Sequence, residues 1–390
     1  MKTMAVICEY NPFHNGHKFL AQKANELGYD GLVAVMSGNW VQRGDTAVIS
    51  KFARSKQALE CGIDLVAELP TYWAMATAQK FAKGAVDIIA SLNVDALVFG
   101  SECGDITKLM QTVYAIRSKD FEVRLRSYLD SGLNLAKARE TVVEELCGNG
   151  ELLRSPNDTL AIEYINAAKD LNLNIKFHAI KRVGAEHDSD TATDIYCSAS
   201  QLRNFILSGN IEKAEKYIPA ESFEILKDEY KNGKISDLTR LEKTILAVLR
   251  STTKDEYKAL PDISEGIENR LFGAARMSSN FNDLMEYTAT KRYTNARLRR
   301  LILSAFLKEK KDEIPNTVPY IRVLGCDKKG VDILQNARNS SKLPIIMRST
   351  SLKDNACFKF EERATDIYSL SQFEPSPCGE EYTNGIITKK

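Results

Sequence analysis

Glu9-Tyr10-Asn11-Pro12-Phe13-His14-Asn15-Gly16-His17 follows the apolar run Met4-Ala5-Val6-Ile7-Cys8 and precedes Lys18 to Leu27, where Phe19, Leu20, Ala24 and Leu27 recur at helical spacing. The stretch is therefore expected to turn a first strand into a first helix, with a His-x-Gly-His motif at the helix start. Pro12 can lead such a turn without losing a needed donor, and Gly16 lacks the Cβ that would hold a ligand off the backbone. A helix N-terminus offers an anion about half a positive charge, typically worth ~0.3 to 1 kcal/mol. Two imidazoles add donors that tighten as charge builds on a departing pyrophosphate, which lowers a barrier instead of only improving binding. The plainer alternative makes His14 a helix cap and His17 a surface residue. Composition yields roughly 0.002 chance matches to His-x-Gly-His in this chain, and the strand-to-helix context argues further for function.

Further strand-like runs occur at Leu32–Met36, Ile63–Ala67, Ala96–Phe99 and Ile175–Ile180, separated by helical stretches. That alternation predicts an α/β fold, a Rossmann-like doubly wound parallel sheet that binds ligands at the carboxyl ends of its strands. Small or polar residues follow each run: Ser37-Gly38-Asn39, Glu68-Leu69-Pro70, Gly100-Ser101-Glu102 and Lys181-Arg182-Val183-Gly184. These loops are expected to line one cleft. Ser198-Ala199-Ser200-Gln201-Leu202-Arg203, after the polar stretch Glu186 to Asp190, reads as a second helix start, with Arg203 a bidentate grip for phosphate. Alone it is weak, because Ser before a helix is commonly a plain N-cap.

At 390 residues two or three domains are expected, and the net charge of +1 means that a nucleic-acid partner must be met by a local patch. The eight cysteines are scattered without C-x-x-C or zinc spacing, so reduced thiols are expected. No basic leader with a long apolar core opens the sequence, and nowhere do eighteen apolar residues run together. A cytoplasmic location and no membrane partner follow as expectations.

Beyond about residue 205 longer helical patterns take over, clearest at Ile235–Leu249 and Tyr293–Phe306. Thr290-Lys291-Arg292-Tyr293-Thr294-Asn295-Ala296-Arg297-Leu298-Arg299-Arg300 holds five cations and one tyrosine, a candidate RNA groove in which cations meet phosphates and Tyr293 stacks on a splayed base. The alternative is an amphipathic helix with a basic outer face, its Leu298, Leu301, Ile302 and Phe306 turned to a core. From Tyr320 onward, Ile321–Leu324, a helical Val331–Ala337 and Leu343–Met347 suggest a small α/β appendage, and Pro375–Gly379 a loop or tail. The expected division is a nucleotide-binding α/β domain over residues 1–205 and a mainly helical, RNA-binding domain over 206–390.

The spaced His-x-Gly-His and Ser-x-Ser-x-x-Arg motifs resemble those of the nucleotidyltransferase superfamily related to class I aminoacyl-tRNA synthetases. Glu9 to His17, the block Met36-Ser37-Gly38-Asn39-Trp40-Val41-Gln42-Arg43-Gly44-Asp45, and Phe99-Gly100-Ser101-Glu102 narrow the resemblance to the bacterial tRNA(Met) cytidine acetate ligase family. That resemblance implies activation of acetate by ATP with Mg²⁺, giving acetyl-adenylate and pyrophosphate. Acetylation of the exocyclic amine of the wobble cytidine in elongator methionine tRNA then follows. It implies an ATP site made of Ile7, Cys8, Glu9, Tyr10, Asn11, Pro12, Phe13, His14, Asn15, Gly16, His17, Lys18, Phe19 and Leu20, with His14 and His17 catalytic on the phosphates. Gly100, Asn157, Arg182, Ser198, Ser200 and Arg203 join it by the same resemblance, although Asn157 read alone serves equally as a helix-start cap. A matching basic block in the family favours Lys291, Arg292, Tyr293, Arg297, Arg299 and Arg300 for RNA. Two departures are Ser200, where Thr is commoner, and Trp40, where Phe is more usual; Trp40 is expected to bear on the acetate pocket. Lys51, Arg54 and Arg43 fall either near the line of acetate attack or on a solvated helix face. The motif pair alone also suits a nucleotidyltransferase acting on a phosphorylated metabolite, or an RNA-binding protein regulated by ATP. No residue pattern specifies the Mg²⁺ carboxylate or the oligomeric state.

Overall fold

The computed structural model describes residues 1–182, 195–264, 266–290 and 293–389. Ten strands are found among them: β1 (Thr3–Cys8), β2 (Gly31–Ser37), β3 (Trp40–Val41), β4 (Asp45–Thr46), β5 (Leu65–Leu69), β6 (Ala96–Ser101), β7 (Lys176–Lys181), β8 (Ile321–Cys326), β9 (Ile345–Ile346) and β10 (Ile387–Thr388). Eight form one sheet in the order β10-β8-β5-β2-β1-β6-β7, with β9 also on β8. All its pairs are parallel except β5 with β8. The order in which strands are added reverses at β1, which pairs β2 on one side and β6 on the other, so a crevice opens beyond its carboxyl end.

Both faces of the sheet are covered, which is why β1 and β2 are apolar without alternation and buried throughout. Ala5, Ile7, Val33 and Val35 face a core shared with helices Ala78–Ser91 and Pro156–Asp170. Met4, Val6, Cys8, Ala34 and Met36 face another, shared with helices Asn15–Glu26 and Lys51–Glu60. Between β6 and β7 the helices Ile106–Ile116, Lys119–Asp130 and Leu135–Cys147 build out an arm with a minor core of Phe121, Val142 and Val143.

The C-terminal α/β segment joins the main sheet, because β8 lies antiparallel on β5 and so extends it. β5 is buried at every residue, and an open edge there would expose unpaired backbone groups; β8 supplies the partners. The tail continues past its loop into helix Glu380–Thr383 and β10, a strand too short to be recognised by alternation. The hairpin β3–β4 has the same two-residue shortness.

Candidate nucleotide site and its basic neighbour

The first helix begins at the motif as expected. His14 is its N-cap in extended conformation, and His14 Nδ1 accepts the Gly16 amide at 3.1 Å while His17 Nδ1 accepts the His14 amide at 3.2 Å. With both Nδ1 atoms accepting, each neutral ring carries its proton on Nε2, a tautomer assigned from the hydrogen bonds. The rings stack at 3.7 Å and 20°. Burial, then the nearby Arg182 and Arg203 charges, push the His14 imidazole down to about 3. Burial and the neighbouring His14 hold His17 well below its usual range too. Both rings are neutral Nε2–H donors at pH 7, so capping through Nδ1 leaves His14 an Nε2–H to offer a ligand.

Ser198 caps helix Ala199–Leu207 through the Gln201 amide, and that helix carries the distal motif to the first one. Arg203 donates to the Asn11 carbonyl at 3.0 Å and to Ser200 Oγ at 3.3 Å. The two motifs, nearly two hundred residues apart in sequence, therefore share one turn. Asn15 strengthens the same join by donating to the Ile195 and Lys216 carbonyls, both at 3.0 Å.

Within the stretch from Ile7 to Leu20 many side chains are structural. Ile7, Cys8, Tyr10 and Phe13 are buried in the two cores, and Asn11 Oδ1 accepts the Val48 amide. Lys18 faces Glu221 at 3.5 Å, Phe19 meets Tyr196 edge-on, and Leu20 packs on the core. The backbone about Pro12 and Gly16, together with the two imidazoles, is what this stretch presents. A Cβ on Gly16 would come within 3.0 Å of the His14 ring.

On the other side of β1, Gly100 in β6 lies beside Arg182, whose amide bonds the Ser101 carbonyl at 3.0 Å. Asn157 is not the cap of its helix, which begins at Ser155 with Pro156 in the first turn. Its side chain donates to Glu102 at 2.6 Å, and the same carboxylate accepts the Asn157 and Asp158 amides at the helix start. Asp158 returns the interaction to Ser101 Oγ and to the Glu102 and Cys103 amides. This reciprocal clasp fixes Gly100, Asn157 and Arg182 relative to one another, and sequence reasoning missed it. An acidic residue after a strand, facing a Ser-Pro helix start, was the available signal.

Lys51 and Arg54 are not on a solvated face, since both are fully buried. Arg54 gathers the carbonyls of Glu9 at 2.6 Å, Ser37 at 3.0 Å, Ile49 at 3.1 Å and Gly38, tying together the ends of β1 and β2. Lys51 sits among Glu68, Glu361 and Glu381, with Arg322 on Glu68 and Glu381. The C-terminal carboxylates that hold it could not be paired with it from sequence. Trp40 is likewise completely buried, its Nε1 donating to the Ala364 carbonyl at 2.9 Å, so it braces the loop after β2 instead of shaping a pocket wall.

Lys291 and Arg292 lie outside the described residues, as do Val183, Gly184 and the stretch Glu186 to Asp190. The rest of the basic block opens helix Asn295–Phe306, which docks on the β3–β4 hairpin. Arg300 donates to the Gln42 carbonyl at 2.9 Å and Arg299 approaches Asp45 at 3.8 Å. Gly44 (φ +74°) permits this approach, since a Cβ there would come within 2.6 Å of Arg299. Arg297 covers the Tyr293 ring at 4.3 Å and bonds the Asp262 carbonyl, while the Tyr293 hydroxyl donates to the Ser264 carbonyl at 2.9 Å. Arg299 keeps 40% of its side chain exposed.

The neutral imidazoles and Arg203 make a donor set suited to a triphosphate, while the first-turn amides of Gly16 and His17 are already bonded to His14. Among the described residues, Glu68, Glu361 and Glu381 are the one group spaced to hold a metal ion, and Lys51 Nζ already fills it. No helix among those residues is long and apolar enough to cross a membrane.

A family model described as HIGH Nucleotidyl Transferase matches residues 1–381. The tRNA(Met) cytidine acetate ligase of Thermoanaerobacter sp. (strain X514) is 37% identical over 405 residues, covering 99% of this chain and 100% of the relative. The protein of that name from Listeria monocytogenes serotype 4b (strain CLIP80459) is 36% identical over 395 residues, with both chains fully covered. The apo form I crystal structure of Thermotoga maritima TmcAL superposes with a TM-score of 0.93 at 33% identity, and the form bound with alpha-thio ATP with 0.91, each over all of both chains. The chain accordingly belongs to the HIGH nucleotidyl transferase family and, within it, to the tRNA(Met) cytidine acetate ligases.

Proposed function

We infer that this protein activates acetate with ATP and transfers the acetyl group to the exocyclic amine of the wobble cytidine in elongator methionine tRNA. The observation that carries the reading is the joining of the two motifs at the Arg203–Asn11 bond, beside two stacked, neutral imidazoles, in a chain matched end to end by ligases of that name. The need for ATP follows from the reactants. The cytosine amine is a weak nucleophile because its lone pair is delocalised, and acetate, an anion, is a weak electrophile. An acetate oxygen attacks the α-phosphorus, pyrophosphate leaves, and the mixed anhydride gives the amine a good leaving group in AMP.

For the first step the protein has to align two anions and stabilise the charge that builds on pyrophosphate. We assign that work to the Nε2–H groups of His14 and His17 and to Arg203, with Gly100, Asn157 and Arg182 holding the nucleoside end. Mg²⁺ would enter on the triphosphate oxygens with waters, needing few protein carboxylates. Arg297, Arg299 and Arg300 adjoin the site through the hairpin, which supports an RNA path along that helix. A metabolite nucleotidyltransferase would leave this basic helix without a task.

The test is incubation with ATP, Mg²⁺, isotopically labelled acetate and bulk bacterial tRNA, followed by digestion and mass spectrometry. Labelled acetylcytidine that requires both ATP and acetate is expected. Its absence, with ATP still bound, would refute the reading in favour of a metabolite substrate.

A further inference from the structure

We propose that Glu9 is the general base of the transfer step, accepting a hydrogen bond from the exocyclic amine of the target cytidine and then its proton. This deepens the ligase reading and rests on it. Glu9 follows β1, where Ile7 faces the core formed with Phe99 and Tyr164 and Cys8 faces the opposite one. By strand alternation Glu9 falls on the Ile7 face, while the helix bearing His14 and His17 packs on the Cys8 face. The phosphate donors and this carboxylate thus flank the end of β1 from opposite sides. In an in-line displacement the acetyl group enters opposite the departing pyrophosphate, which puts the acetyl carbon on the Glu9 side.

Its geometry suits a base and not a phosphate ligand. A carboxylate repels a triphosphate, yet this one is half-buried and held rigidly: Oε1 accepts the Gln42 amide at 2.9 Å, and the Glu9 carbonyl is gripped by Arg54. Its second oxygen takes no hydrogen bond from the described residues. Tyr164 of helix Pro156–Asp170 is near enough to feel the Glu9 charge, and burial together with that charge keeps its phenol protonated. A carboxylate that accepts from the amine is also the pairing that distinguishes cytosine by its N4 donor.

The Gln42 backbone adds a link to the RNA side. Its amide holds Glu9 while its carbonyl, in the next peptide unit, accepts Arg300, so one residue in the β3–β4 connection spans from the carboxylate to the basic helix. RNA seated along that helix would bring its cytidine to the same residue. In the step itself, the N4 lone pair attacks the acetyl carbonyl carbon and the carbon–oxygen bond to the phosphate breaks. AMP leaves with that electron pair, and the N4 proton passes to Glu9 and on to water.

The experiment separates the half-reactions in the full-length protein with Mg²⁺, ATP, acetate and bulk tRNA. The readout is the ratio of the two half-reactions: in Glu9→Gln the acetyl transfer should fall about a hundredfold or more further than acetate-dependent ATP–pyrophosphate exchange does, the usual range for a general base. Glu9→Asp, one methylene shorter, should recover part of the transfer. Equal loss of both half-reactions would overturn the proposal and return Glu9 to the ATP-activating step, and full transfer by Glu9→Gln would overturn it outright. If the wild type forms no acetylcytidine, the ligase reading itself has failed, and the proposal falls with it.

Discussion

His14→Asn should separate the helix cap that the structure shows on His14 from the phosphate-donor role we assign to the same side chain. The His14 imidazole caps the first helix through Nδ1, and its Nε2–H remains for a ligand. Asn is among the best N-caps, so this variant should keep the helix start, whereas His14→Ala should lose about 0.5 to 2 kcal/mol. For 390 residues the unfolding entropy is on the order of 0.8 kcal/mol/K, so the Ala variant should melt roughly 0.6 to 2.5 °C lower and the Asn variant within about half a degree of wild type. Both lose the Nε2–H donor. One pre-positioned donor to a developing anion is worth about 2.7 to 4 kcal/mol, a loss of roughly 10² to 10³ in rate. The assay is acetate-dependent ATP–pyrophosphate exchange beside thermal melting of each variant. A His14→Asn protein with undiminished exchange would refute the donor role. A drop confined to His14→Ala would mean that the cap alone mattered.

The His14 pKa of about 3 lies below the usual imidazole value near 6.5, so the unfolded chain binds more protons in between; this contribution to stability is present above about 6.5 and lost as pH falls toward 3, and pH titration of the melting midpoint in His14→Asn should lack it. Lys51→Ala leaves three buried carboxylates with Arg322 alone and should cost about 3 to 5 kcal/mol, or roughly 4 to 6 °C by calorimetry; an unchanged midpoint would show that the cluster does not depend on that cation. Burial and the Glu68 charge raise Glu361, so the native state holds its proton longer than the unfolded chain does and stability falls as pH rises toward about 7. Glu361→Gln should remove that fall, and a melting profile parallel to wild type from pH 5 to 8 would contradict the assignment. Arg299→Ala should weaken tRNA binding and flatten its salt dependence by about one phosphate's share without changing ATP affinity, and an unchanged salt slope would place the RNA elsewhere.

The local sequence was enough for the nucleotide-binding half of the sheet. Continuous apolar runs at Met4–Cys8, Leu32–Met36 and Ala96–Phe99 can be satisfied only by strands covered on both faces, and His14 to His17 marks a helix start because cap, glycine and imidazole act within one turn. Arg203 was recognisable as a candidate phosphate ligand by type, but its bond to Asn11 depends on where a helix nearly two hundred residues later comes to rest. Tertiary structure alone decided the role of Lys51 and Arg54, whose pattern on a helix is that of solvated cations. Their desolvation is offset by Glu361, Glu381 and the carbonyls at the ends of β1 and β2, groups contributed by distant segments. The same holds for β8 and β10, because a short run records its propensity for strand but not the sheet edge that it will pair with. Periodicity and capping are properties of neighbours in the chain and can be read from it; charge compensation and edge pairing are properties of neighbours in space, which exist only after the chain has packed.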